Sequence, residues 1–138
     1  MLHTIVLALH VIGAGIMFGA VFFAFLIALQ RVLDPSKLAT LKSIFLFGTI
    51  GAIAQTITGI ILYFQEAGEF RDSKMFWIKI GLFALDGIIA LLIVDRRIKL
   101  IESKSKGDVD LGSTYLWTLL SVLIISSIIT LGVFLVEG

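Results

Sequence analysis

Few residues of this chain could do chemistry, and most of those that could lie inside long apolar runs. His3 and His10 are its two histidines. With Met17 they recur every seventh residue, so on a helix they fall along one stripe. An imidazole can ligate a metal, hold haem iron or move a proton. Lys79 and Asp86, again seven residues apart, supply a cation and a carboxylate, and Gln55 an amide flanked by Thr56 and Thr58. Ionisable groups at membrane depth are functional candidates by default. The chain has no cysteine, which removes disulfides, thiolate zinc sites, iron–sulfur clusters and thiol nucleophiles together.

The elements that must position these groups are apolar. Of the 138 residues, 59% are hydrophobic, and the mean hydropathy is +1.09. A soluble domain of this size does not carry so much apolar surface. The expected class is an all-α integral membrane protein forming a single domain over 1–138. Four runs, about 3–29, 44–64, 75–94 and 115–136, each reach the roughly 20 residues that one bilayer crossing needs. Met1-Leu2-His3-Thr4 lacks the basic start of a cleaved signal, and the first run is too long for one, so the first helix is expected to be retained.

Between the runs, Asp34-Pro35 predicts a turn, with Ser36 and Lys37 opening an amphipathic lead-in to the second helix. Residues 65–74, QEAGEFRDSK, read as a polar hairpin loop. In 95–113 the first part continues helix three beyond the membrane, and Gly107 to Gly112 forms a turn.

Charge orients the bundle. Arg31, Lys37 and Lys42 lie in the first loop, and Arg96, Arg97, Lys99, Lys104 and Lys106 in the third. The second loop has only Arg71 and Lys74, beside Glu66, Glu69 and Asp72. The excess of Lys/Arg predicts cytoplasmic first and third loops, hence both termini extracytoplasmic and an up-down-up-down four-helix bundle in the inner (plasma) membrane. Tyr63 and Trp77 then fall at the outer interface, Tyr115 and Trp117 at the inner one, as an aromatic belt requires.

Small residues predict how the helices meet. Gly15-x-x-x-Gly19 and Gly48-x-x-x-Ala52 are pairs that let backbones approach closely, within the bundle or against a second copy or a membrane-complex partner. Gly13, Gly51, Gly59, Gly81, Gly87 and Gly132 add further close-contact points. Nothing in the charge pattern points to nucleic acid; the expected surroundings are the lipid bilayer.

At a rise of about 1.5 Å per residue, His10 lies roughly 10 Å into the first helix and Lys79 roughly 6 Å into the third, on the same side. Asp86 and Gln55 fall near the midplane, with Ser126, Ser127 and Thr130 at mid-depth on helix four. His10, Gln55, Lys79 and Asp86 are therefore the candidate binding residues, converging on one polar pocket if the helix rotations allow it. His3 reads as interfacial, Met17 as core, and Lys79 can snorkel to the headgroups. Asp86 costs about 2.5–3.5 kcal/mol at a helix centre and so needs a partner or a wet cavity. His3 and His10 are about 10 Å apart along the helix, too far to chelate one ion. A copper site would need Met17 and a bent helix. Haem needs only one imidazole on one face, with Lys79 placed to pair with a propionate.

LHVIGAGIMFGAVFF in the first helix and FWIKIGLFALDGIIALLIVDRRI in the third resemble the corresponding helices of the copper-resistance D (CopD) and HemJ-type superfamily, through His10, Trp77 and Lys79. The HemJ-type resemblance implies a haem-binding protoporphyrinogen oxidase of the inner membrane, and the CopD-like one implies copper handling. The later histidines that HemJ-type proteins carry on helix three are missing here, and Asp86 stands in that helix. The leading expectation is thus a small membrane protein binding haem b or a related redox cofactor at His10, which would be the metal ligand. The alternatives are a non-catalytic subunit or assembly factor of a membrane complex, and a CopD-like copper-handling protein.

Overall fold

Asp34 and Pro35 begin a helix as their chemistry dictates. The Asp34 carboxylate accepts from Lys37 N at 2.8 Å, and Pro35 occupies the first turn, where its missing N–H costs nothing. The lead-in expected at Ser36 and Lys37 is continuous with the second span, giving α2 (Pro35–Gln65) after α1 (Leu2–Ala28). Ser73 Oγ accepts from Phe76 N and caps α3 (Lys74–Ile88). A π-helix (Ile89–Asp95) follows without a break, then α4 (Arg96–Lys104), so helix three continues beyond 94 as the sequence suggests, as far as Lys104. The last element is α5 (Thr114–Glu137). The structure, a computed structural model, describes residues 1–66, 68 and 71–137. Ala67, Glu69 and Phe70 of the expected 65–74 loop lie outside those residues.

Among the described residues, four helical stretches are long and apolar enough to cross a membrane: Leu2–Ala28, Pro35–Gln65, Lys74–Lys104 and Thr114–Phe134. The chain is accordingly a multi-pass membrane protein. Large apolar side chains such as Ile12, Phe47, Leu92 and Leu123 are exposed along these spans, as contact with lipid requires.

The first and third loops meet. β1 (Val32–Leu33) and β2 (Val109–Asp110) pair antiparallel, Val32 opposite Asp110 and Leu33 opposite Val109, and Leu111 N donates to Arg31 O at 2.7 Å. Two turns feed this ribbon. Arg31 adopts φ 61° and Gly112 φ 56°, a left-handed conformation that glycine enters freely and arginine does not. The Arg31 guanidinium lies 5.0 Å from the centre of the Tyr115 ring, a cation–π contact that helps hold this turn. The ribbon covers one end of the bundle, with Leu33, Val109 and Leu111 buried against Leu38, Leu41 and Ile98. We call this the ribbon end and its opposite the terminal end.

α1 packs along α2 and against α5, and α5 packs against α3. Glycine sets the α1–α2 distance. A Cβ on Gly51 would lie 3.0 Å from Met17 N and 3.1 Å from Gly13 O. Those are backbone atoms that cannot give way, so Gly13 and Gly51 are the point of closest approach. The expected pair on α1, Gly15 and Gly19, faces open space instead. On α2, Gly48 meets Ala20, at 3.2 Å from a built Cβ. Helix rotation, which spacing alone does not specify, decides which of several small residues turn inward.

α2 and the third span are joined at both ends. At the terminal end the Tyr63 and Phe76 rings stack with centroids 5.5 Å apart; at the ribbon end Lys42 Nζ lies 2.5 Å from Glu102 Oε2. Between those two ties they part around a cleft.

Candidate functional site

The four candidate residues do not form one pocket. They divide into a part-buried polar cluster of His10 and Gln55 between α1 and α2, Lys79 against α5, and the Asp86 carboxylate on the floor of the cleft.

His10 and Gln55 come together as the sequence suggested, joined by Thr58. Gln55 and Thr58 are three residues apart, so both project from one face of α2 toward α1. The Thr58 hydroxyl has one proton, and Ala54 O at 2.6 Å takes it. Thr58 Oγ1 therefore accepts from His10 Nδ1–H at 2.9 Å, which leaves Nε2 as the acceptor for Gln55 Nε2–H at 3.0 Å. That network assigns the tautomer. Gly59 makes room for the ring: a Cβ there would lie 3.3 Å from His10 Cε1. Gln55 and Thr58 are both buried, and Gln55 Oε1 has no hydrogen-bond partner among the described residues.

The haem that the resemblance implies does not fit this geometry. Both imidazole nitrogens of His10 already hold hydrogen bonds, so iron could be ligated only by expelling Gln55 or Thr58. α1 and α2 close to backbone contact at Gly13 and Gly51 and onto the ring itself at Gly59, leaving no slot between them for a macrocycle. Lys79, expected to snorkel or to meet a propionate, is half-buried, and a Cβ built on Gly132 of α5 would lie 3.3 Å from its Nζ. A copper site fares no better: among the described residues no three His, Cys, Asp or Glu side chains gather at one point. Met17 is buried core, as expected.

His3 bridges helix ends. Its Nδ1 lies 3.2 Å from Gln65 Oε1 and its Nε2 3.2 Å from Glu66 Oε1, so it ties the start of α1 to the end of α2 while remaining exposed.

Asp86 lies in the other feature. The cleft between α2 and the third span has a volume of about 620 Å³, within the roughly 300–1,000 Å³ range of small-molecule sites. Its back wall is Met17, Val21 and Ala24 of α1; Gly48, Ala52 and Ile53 line it from α2, and Phe83, Gly87 and Leu91 from the third span. Asp86 and Ser121 form its polar floor, with Thr118 one turn from Ser121. Neither His10, Gln55 nor Lys79 reaches it. Ser121 Oγ donates to Asp86 Oδ1, and the second carboxylate oxygen has no partner among the described residues.

Ser121 was not singled out in the sequence, where Ser126, Ser127 and Thr130 stood at mid-depth on helix four. Those three bond to their own helix, at Val122 O, Leu123 O and Ser126 O. The available signal was Thr118 and Ser121, three residues apart on one stripe of α5. Counted back from the charged Asp95 at the ribbon end, Asp86 falls at the level of that stripe.

The π-helix forms the ribbon-end half of one cleft wall, contributing Ala90, Leu91, Val94 and Asp95. Such stretches are rare and recur at functional sites.

No family model, no curated protein and no solved structure matches the chain. The superfamily resemblance accordingly rests on the helix-one and helix-three residues quoted above.

Proposed function

We propose that this protein is a plasma-membrane protein that takes an amphiphilic molecule sideways out of the bilayer and holds its polar end at Asp86. One observation carries the reading. The third span and α2 are tied at their ends and parted between, by an apolar cleft whose floor is a buried carboxylate and a serine hydroxyl. A site of that shape admits an occupant through the gap between two lipid-facing helices, and its buried polar floor fixes which end of the occupant goes deepest. The proposed orientation puts the ribbon end in the cytoplasm and both termini outside, supported by the Lys/Arg excess in the first and third loops.

Native mass spectrometry of the full chain released from mild detergent tests the binding. The expected spectrum shows the chain carrying a small-molecule or lipid adduct, which Ala52→Trp, filling the cleft, removes. A chain without an adduct, or one that Ala52→Trp leaves unchanged, overturns the reading. A Soret band in the same preparation would instead restore haem. For the orientation, a reporter fused at Gly107 is expected to be active on the cytoplasmic side, and activity outside would reverse the topology.

A further inference from the structure

The ionisable groups around the cleft decide what charge its occupant carries. Three line it: Lys42, Asp86 and Asp95. Lys42 is engaged with Glu102 at 2.5 Å, and Asp95 with Lys99 one turn onward at 2.7 Å. Both mouth charges are thus neutralised by neighbours at the ribbon end. Asp86 is not. The residue is 5% exposed, and its single partner among the described residues is the uncharged Ser121 hydroxyl.

The nearest cation along its own helix, Lys79, lies about 10 Å away at 1.5 Å per residue. It is turned to Gly132 on α5 and takes no part in the cleft. Around Asp86 the walls are Met17, Phe83, Gly87, Ala90 and Thr118, none of them charged.

A carboxylate among apolar walls binds best what supplies the missing charge and tolerates the walls. A metal ion supplies the charge but does not tolerate the walls, since one carboxylate and one hydroxyl leave most of its coordination sites unfilled and no third ligand gathers there among the described residues. An anion meets like charge, and a neutral amphiphile leaves the carboxylate without a counter-charge.

We propose that the cleft selects hydrophobic organic monocations, with the positive centre at Asp86 and the apolar body between α2 and the third span. This rests on the reading of the cleft as a lateral binding site, and adds to it the sign of the ligand.

Two probes of nearly the same size and shape separate the two ideas: tetraphenylphosphonium, a cation, and tetraphenylborate, an anion. Equilibrium dialysis of the purified full chain in an uncharged detergent is expected to show saturable binding of tetraphenylphosphonium and at least about tenfold weaker binding of tetraphenylborate. Asp86→Asn is expected to lower tetraphenylphosphonium affinity at least about tenfold with little change in thermal unfolding. Ala52→Trp, which leaves Asp86 intact, is expected to abolish binding. The comparison of the two probes on the unmodified chain needs no variant to fold.

Equal binding of the two probes overturns the inference, as does Asp86→Asn binding like the unmodified chain. If neither probe binds to a chain that still carries an adduct, charge selection falls and the lateral site stands. If there is neither adduct nor probe binding, both fall.

Discussion

Gly51→Val is expected to separate α1 from α2 and unfold the bundle at a temperature well below that of the unmodified chain. A first carbon at Gly51 meets Met17 N at 3.0 Å, Gly13 O at 3.1 Å and Ile16 Cγ2 at 3.1 Å, and two of those three are backbone. Side chains can turn aside, but a helix backbone can yield only by moving the whole helix. Overpacking of this kind costs about 1–3 kcal/mol and sometimes more, and valine adds two further methyls to the clash. The loss extends beyond the contact, because the hydrogen bonds of His10 to Gln55 and Thr58 span the same interface. The comparison variant is Gly15→Ala, where a Cβ meets nothing within 4 Å. Thermal unfolding in detergent, followed by circular dichroism, should show a large drop for Gly51→Val and almost none for Gly15→Ala. Equal effects would mean that α1 is rotated from the orientation described here.

Leu33→Ala should give the second large effect, at the ribbon end. Leu33 and Leu111 are both 0% exposed although they belong to short connections between helices. Inside a bilayer, apolar burial drives helices together only weakly, because lipid tails are as apolar as leucine. In the proposed orientation the ribbon lies outside the hydrocarbon, where removing Leu33, Val109 and Leu111 from water does stabilise the fold. Truncating a buried leucine in such a place costs about 2–5 kcal/mol. Leu100→Ala on α4, at a position 56% exposed, is expected to stay within about 0.5 kcal/mol. Denaturant titration in mixed micelles measures both. Similar small losses at the two positions would show that the ribbon does not contribute to the core.

The spans were legible because hydropathy over some twenty residues is a coarse property that tertiary detail does not alter. The turn at Asp34-Pro35 was legible for the opposite reason, since proline restricts its neighbour locally, although Asp34 as the cap of α2 was not read from it. His10, Gln55 and Thr58 were within reach because depth along a helix follows from counting. Rotation does not, and so Gly15 and Gly19 read as well as Gly13 for a contact that only Gly13 makes. The same indeterminacy joined Asp86 to His10 on paper and separates them in the fold. The ribbon was out of reach altogether: Val32-Leu33 and Val109-Asp110 are two-residue strands far apart in the chain, and their pairing exists only once the helices have brought two loops to one end. The π-helix leaves no trace in Ile89–Asp95, whose run of apolar residues suits an α-helix equally well.

The two ties across the cleft have a mechanical consequence. A rod fixed at both ends cannot swing open like a door; it can only bow, and it bows most at mid-span. Tyr63 against Phe76 and Lys42 against Glu102 are the fixed ends, and the cleft lies between them, where the compliance is greatest. The wider turn from Ile89 to Asp95 sits in the bowing member, the one place in it where the backbone ladder departs from the α-helical repeat. Entry through such a slot is governed by the girth of the entering molecule more than by its length. A slender molecule slips between the rods with little flexing, and a bulky one must strain both of them.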